Sequence, residues 1–223
     1  MINILDKETI DKIAAGEVVE RPASIVKELL ENSIDAGSSS ITVEIKNGGI
    51  DLIRITDNGC GIDSKEVKTA FLRHATSKIV SDKDLISIKS LGFRGEALSS
   101  IAAVSRCEII TKTRDELTGV RYYMEGGVEV EFEEIGAPDG TSIIIRDIFY
   151  NTPARRKFLK TSSTEGAHIS ELVEKMAMSN TDIAFKFISN NQVKLQTNGN
   201  GNLKDIIYQL YGKEISKALC AVD

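Results

Sequence analysis

The chain has 223 residues, 41% hydrophobic and 27% charged, a balance that suits one large globular domain or one domain plus the start of another. A formal net charge of −5 argues against a strong nucleic-acid binder, because such affinity rests largely on phosphate neutralisation. No apolar run approaches membrane-spanning length and no signal peptide is credible. The cysteines, Cys60, Cys107 and Cys220, are scattered and odd in number, which excludes a disulfide framework or a Cys-rich zinc site and fits a reducing cytoplasm.

In chain order, Asp6 is expected to cap a short helix over residues 7–15 that Gly16 ends. Pro22 suits the first turn of a second helix running to Asp35, with Ile25, Val26, Leu29, Leu30 and Ile34 as its core stripe. Strands over 40–46 and 50–56 follow, joined through Asn47-Gly48-Gly49, a hairpin signal. Asp63 is expected to open a helix with Glu66 as its capping-box partner. Residues 73–95 read as a long Ser- and Lys-rich connection, a length typical of a functional lid or a disordered segment. A small-residue helix then spans about 96–104. Strands are expected at 106–113, 119–124, 128–134 and 141–147, helices at 154–159 and 165–179, strands at 183–189 and 192–196, and a helix at 203–211. The sum is an α+β two-layer sandwich with a mixed, mostly antiparallel sheet.

Three stretches carry chemistry. In E-L-L-E-N-S-I-D-A-G, Glu28, Asn32 and Asp35 fall at i, i+4 and i+7 and share one helix face. A carboxylate that can activate water, with an amide oxygen one turn away that can ligate Mg²⁺, suits phosphate-ester hydrolysis. In D-N-G-C-G, Asp57 closes a strand as an acceptor for an exocyclic amine, while Gly59 and Gly61 let a flat ring approach the backbone; the competing reading is a plain tight turn. In G-F-R-G-E-A-L, Gly92–Leu98, glycines lead into a helix N-terminus, an anion-binding arrangement, and R-H-A-T-S-K adds hydroxyls and cations just before it. His74 reads as a packing or hydrogen-bonding residue. No P-loop or Rossmann fingerprint occurs. In F-Y-N-T-P-A-R-R-K-F-L, Thr152 is the expected N-cap and Pro153 the first helical residue. Arg155, Arg156 and Lys157 then sit in the first turns against the helix dipole, which points to a bound anion, an acidic partner, a subunit contact or a solvated basic patch.

Taken in order, I-A-A-G-E-V-V-E-R-P-A-S, E-L-L-E-N-S-I-D-A-G, D-N-G-C-G-I, R-H-A-T-S-K-I, G-F-R-G-E-A-L and F-Y-N-T-P-A-R-R-K-F-L closely resemble the N-terminal ATPase region of the MutL family of DNA mismatch-repair proteins. The E…N and D-x-G-x-G pair is shared with gyrase-type topoisomerases, heat-shock chaperone ATPases and sensor histidine kinases. The resemblance implies a Bergerat-type ATP-binding fold with helices on one face of the sheet, and a weak Mg-dependent ATPase with ATP and Mg²⁺ as cofactors. It makes Glu28 the general base, Asn32 the Mg²⁺ ligand and Asp57 the adenine acceptor, with Gly59 beside it and Thr141 and Gly61 helping through a water. Thr76, Ser77 and Lys78, with Gly92, Phe93, Arg94, Gly95, Glu96, Ala97 and Leu98, become the lid over the phosphates.

Residues 1–20 resemble an arm that reaches across an ATP-driven dimer, residues 21–212 the ATP-binding domain, and 213–223 a linker into a second domain whose lysine contacts the γ-phosphate. Without that lysine the expectation is weak binding and slow turnover. The implied partners are ATP and ADP, a second copy, a mismatch-recognition protein and a downstream nuclease or helicase, with weak DNA contact and no membrane. The implied setting is a bacterial cytoplasm, acting at the nucleoid. Two rival readings are a topoisomerase or histidine-kinase module, and a non-catalytic scaffold.

Overall fold

The computed structural model describes residue 10 and residues 15–16, 18–75 and 95–218. Eight strands form one sheet: β1 (Ser40–Lys46), β2 (Leu52–Asp57), β3 (Arg106–Lys112), β4 (Gly119–Glu125), β5 (Val128–Ile135), β6 (Gly140–Arg146), β7 (Ala184–Ser189) and β8 (Gln192–Gln196). Their order is β5-β4-β3-β6-β2-β1-β7-β8, and every neighbouring pair is antiparallel except β1 with β7. Around the sheet lie helices α1 (Pro22–Asp35), α2 (Val67–Ala70), α3 (Ala97–Ala103), α4 (Pro153–Phe158), α5 (Ser162–Ser179) and α6 (Leu203–Ala218), and a 3-10 turn over Asn47–Gly49 joins β1 to β2. This mixed sheet with packed helices is the expected α+β sandwich.

Strand alternation sorts the two faces of the sheet. One row comprises Ile41, Val43 and Ile45 of β1, Ile53 and Ile55 of β2, Ile143 and Ile145 of β6, and Cys107 and Ile109 of β3. These side chains are buried in one core with Ile25, Val26, Leu29 and Leu30 of α1. The opposite face carries polar pairs: Thr56 bonds Ser142 at 2.9 Å, Arg54 bonds Glu44 at 3.0 Å, and Arg121 bridges Glu108, Glu131 and Glu133. Those pairs lock the Arg121 guanidinium in its charged form. Burial, in contrast, pushes the Cys107 thiol far up and leaves it inert at neutral pH.

α1 begins without a side-chain cap, because Arg21 at its N-cap turns instead to Glu165. Its Nε and Nη2 donate to the two oxygens of that carboxylate at 3.1 and 3.2 Å, and the Lys160 N–H donates to one of them at 3.0 Å. Glu165 is 1% exposed, so this fork fastens the start of α1 to the first turn of α5 across the core.

Four local expectations change. Asp63 does cap a turn, accepting from the Lys65 N–H at 2.9 Å, but the helix beyond it is only Val67–Ala70 and Glu66 makes no capping box. Gly16 does not end its helix; Gly16 and Val18 are both helical. A Cβ on Gly16 would lie 1.2 Å from an Arg155 guanidinium nitrogen, so its bareness serves a close approach. In α4 Pro153 opens the helix as expected, but Thr152 makes no side-chain cap bond. α4 is also so short that Arg155, Arg156 and Lys157 form its last turn, where cations favour the dipole. The supposed electrostatic conflict disappears. Finally, α6 continues through residues 213–218 beyond a break at Gly212 (φ 80°), where a linker was expected. The expected helix over residues 7–14 lies outside the described residues except for Ile10, which is helical.

Candidate nucleotide cleft

The core rows explain how the site arises. Asp57 follows Ile53 and Ile55, Thr111 follows Cys107 and Ile109, and Thr141 precedes Ile143 and Ile145, each at the two-residue period of its strand. The register sets Thr141 opposite both Asp57 on β2 and Thr111 on β3. Three apolar rows that face the helices therefore end, side by side, in three polar residues. Asp57 and Thr141 floor one end of a cleft of about 1580 Å³, with the buried Thr111 behind them.

Asp57 is held from two sides. Ser33 Oγ donates to one carboxylate oxygen at 2.8 Å and the Gly59 N–H donates to the other at 2.9 Å. Each oxygen retains lone pairs for a further donor. Ser33 is itself buried on α1, next to Asn32. Thr111 Oγ1 lies 3.0 Å from Thr141 Oγ1 and accepts from the Ile62 N–H at 2.9 Å, tying the turn after β2 to β3. Asn58 points away from the cleft and accepts from the Ser39 and Ser40 N–H groups, both at 2.9 Å.

From the helix layer Glu28, Asn32 and Asp35 line the same cleft, as the i, i+4, i+7 spacing anticipates. Glu28 and Asn32 are half-buried on the border of the α1 core stripe. Gly59 and Gly61 also line it, and their bare sides are used by the protein as well. A Cβ on Gly59 would stand 2.7 Å from Ala36 Cβ, and one on Gly61 (φ +73°) 2.2 Å from the Lys112 carbonyl oxygen. The tight turn and the ligand-facing backbone are one structure.

Gly95, Glu96, Ala97 and Leu98 form a further wall. Gly95 meets Ala75 where the two ends of the long connection converge, and His74 Nδ1 lies 3.2 Å from Glu96 Oε1, a partner for a histidine expected to hydrogen-bond. Thr76, Ser77, Lys78, Gly92, Phe93 and Arg94 lie outside the described residues. Sequence reasoning missed Ser33, Thr111 and the rim at Thr113, Arg114 and Asp115. Only the alternation of β3 could have singled out Thr111, as the polar end of an apolar row.

The chain matches the family described as "Histidine kinase-, DNA gyrase B-, and HSP90-like ATPase" over residues 20–136. It is 69% identical over 221 residues to "DNA mismatch repair protein MutL" of Agathobacter rectalis, covering 99% of this chain and 34% of that protein. The protein of the same name from Caldanaerobacter subterraneus subsp. tengcongensis is 55% identical over 98% of this chain and 37% of its own length. The chain thus spans about a third of the length of these curated relatives. Among solved structures, "Aquifex aeolicus MutL ATPase domain complexed with ADP" superposes with a TM-score of 0.73 at 31% identity, covering 87% of this chain and 70% of that one. "Crystal Structure of N terminal domain of a DNA repair protein" superposes with a TM-score of 0.77 at 28% identity, covering 91% and 60%.

Proposed function

The chain belongs to the MutL family of histidine kinase-, gyrase B- and HSP90-like ATPases, and from that premise we propose that its cleft binds ATP and hydrolyses it slowly as part of a mismatch-repair protein. The observation that carries this reading is the Asp57 carboxylate, aimed by Ser33 and Gly59 at one end of a cleft whose helix wall holds Glu28 and Asn32. The Aquifex aeolicus relative described as complexed with ADP supports a nucleotide here.

Asp57 accepts the exocyclic amine of adenine, and Thr141, beside it in the sheet, serves the same ring edge through a water. Glu28 orients a water against the terminal phosphorus and takes its proton as the new P–O bond forms; the bond to the bridging oxygen breaks and ADP retains that oxygen. Gly95–Leu98 serve the phosphate end, together with Thr76–Lys78 and Gly92–Arg94.

The donor set fits magnesium. Asn32 offers a hard amide oxygen one turn from Glu28, and among the described residues no group of three or more His, Cys, Asp or Glu could hold a metal alone. Mg²⁺ commonly takes one or two protein ligands and completes its shell with phosphate and water. When bound, the ion would neutralise phosphate charge. In the whole protein, residues 1–20 act as the arm of an ATP-gated dimer, 21–212 as the ATP-binding domain and 213–223, helical through Ala218, as the connection onward. The switch couples a mismatch-recognition protein to a downstream nuclease or helicase, in the cytoplasm at the nucleoid.

Replacing Glu28 by Ala tests the assignment. The variant should keep its affinity for ADP and for a non-hydrolysable ATP analogue while turnover falls at least a hundredfold. Hydrolysis surviving at the wild-type rate would remove Glu28 from the mechanism.

A further inference from the structure

The turn after β2, which forms the wall beside Asp57, is tied to the end of α1 by the Cys60 N–H bond to the Ala36 carbonyl and sets Ile62 against the core. Its outer part is held by β3 and by the β3–β4 hairpin. Thr111 takes the Ile62 N–H, Gly61 packs against the Lys112 carbonyl, and two residues on, the Ser64 N–H donates to Glu116 Oε1 at 3.0 Å. The other Glu116 oxygen accepts from the Thr113 N–H at 3.2 Å and from Thr113 Oγ1 at 2.8 Å. One carboxylate therefore joins two separate rims of the cleft: the stretch through Ile62 and Asp63, and the stretch through Thr113, Arg114 and Asp115. Glu116 itself is absent from the lining and reaches neither the Glu28 and Asn32 wall nor the Gly95–Leu98 wall.

Resting on the assignment of Asp57 as the adenine acceptor, we infer that Glu116 is a positioning residue for the base: it fixes the distance between the Gly59–Asp63 wall and the hairpin rim, and so sets how selectively the cleft holds adenine. The physical basis is the direction of the bonds. Glu116 offers only acceptors, and it meets two N–H groups and one hydroxyl that turns to donate. Donors from Ser64, and then from Thr113, hold its carboxyl down at about 2, so the clamp is ionised and charge-assisted at every physiological pH. Without it the Ser64 and Thr113 N–H groups return to solvent and the outer parts of the two rims lose their direct tie, while the Thr111–Ile62 bond and the packing of Gly61 on Lys112 still join them nearer β3. The base end of the cleft then loosens, while the phosphate end, built on α1 and α3, keeps its geometry.

The expected signature is a base-selective loss. For Glu116→Ala, the Kd for ADP should rise about tenfold, equivalent to about 1.4 kcal/mol. The preference for ADP over GDP should fall by a similar factor, because GDP gains little from the intact wall. Glu116→Gln keeps one acceptor oxygen for Ser64 but turns an amide donor toward the Thr113 N–H, so its affinity should lie between the two. Titration calorimetry with ADP and GDP on all three proteins, alongside their urea unfolding curves, makes the test. A loss shared equally by ADP and GDP would make Glu116 merely structural and overturn the inference, as would unchanged affinity and selectivity in the Ala variant. Asp57→Asn run beside it separates the premises. If Asp57→Asn weakens ADP and Glu116→Ala does not, only the Glu116 inference fails; if Asp57→Asn has no effect, the adenine assignment fails first.

Discussion

Asp57→Asn isolates the base contact with little disturbance to shape. In the folded chain one Asp57 oxygen accepts from Ser33 Oγ at 2.8 Å and the other from the Gly59 N–H at 2.9 Å. An asparagine has one acceptor oxygen and one NH₂. The Gly59 N–H cannot reverse its polarity, so the amide oxygen must turn toward it. Ser33 can rotate its hydroxyl and accept from the NH₂, and both internal bonds survive. The protein should therefore fold with wild-type stability to within about 1 kcal/mol. What changes is the face shown to the ligand, since a charged acceptor becomes neutral and half of it becomes a donor. A hydrogen bond to a charged group is worth about 1.5–3 kcal/mol, so the Kd for ADP should rise between about tenfold and a hundredfold. Titration calorimetry reads this directly, with unfolding curves as the control. Binding within twofold of wild type, in a protein of unchanged stability, would refute the placement of adenine at Asp57.

Two further outcomes test the frame around the cleft. Arg21→Ala strands the Glu165 carboxylate, 1% exposed, with the Lys160 N–H as its one remaining partner among the described residues; urea unfolding should show a loss of about 3 kcal/mol, the lower end of the range because Arg21 itself is 32% exposed. A loss below about 0.5 kcal/mol would mean the fork contributes nothing to holding α1. The pH dependence of Glu116 has a definite sign. Its carboxyl is lowered from 4.5 to about 2 by Ser64 and Thr113, so its stabilisation is complete above pH 4.5 and drains away as the pH falls toward 2. The stability gap between wild type and Glu116→Gln should be flat from pH 8 to 5 and shrink below pH 4.5. A gap that persists unchanged at pH 3 would exclude the clamp.

Much of the architecture was legible because it rests on local periodicity. The β1 and β8 spans and helix α1 follow from alternation, turn residues and Pro22. Where reading failed, the deciding contact lay far along the chain. Gly16 looked like a helix stop because Arg155, which needs its bare surface, is 139 positions away. The dipole conflict in α4 came from assuming a longer helix; once Phe158 ends it, the same three cations stabilise its last turn. The site divides in the same way. Glu28, Asn32 and Asp35 were visible as one helix face, and Asp57 as a strand end. Ser33 and Glu116 were not, because each acts through a hydrogen bond to a residue at least 24 positions or 52 positions distant, and a lone Ser or Glu has no pattern of its own.

The Ser33 bond also explains why Asp57 and the Glu28 face of α1 cannot shift independently. Ser33, which aims Asp57, sits on α1 only five residues beyond Glu28, about 7.5 Å along the helix axis. The far end of that helix is tied again to the turn after β2, where the Cys60 N–H donates to the Ala36 carbonyl at 3.0 Å. At its near end the Arg21–Glu165 fork holds it to α5. A rigid rod pinned at both ends thus carries Glu28 and Asn32, the proposed base and metal ligand, and the serine that aims Asp57, the proposed adenine acceptor. A ligand that draws on Asp57 pulls on the same helix that presents Glu28. By contrast, the hairpin rim stands beyond the end of β3 and meets the turn after β2 through Glu116, so it is the part of the site whose position substitution can change with least effect on the Glu28 and Asn32 face.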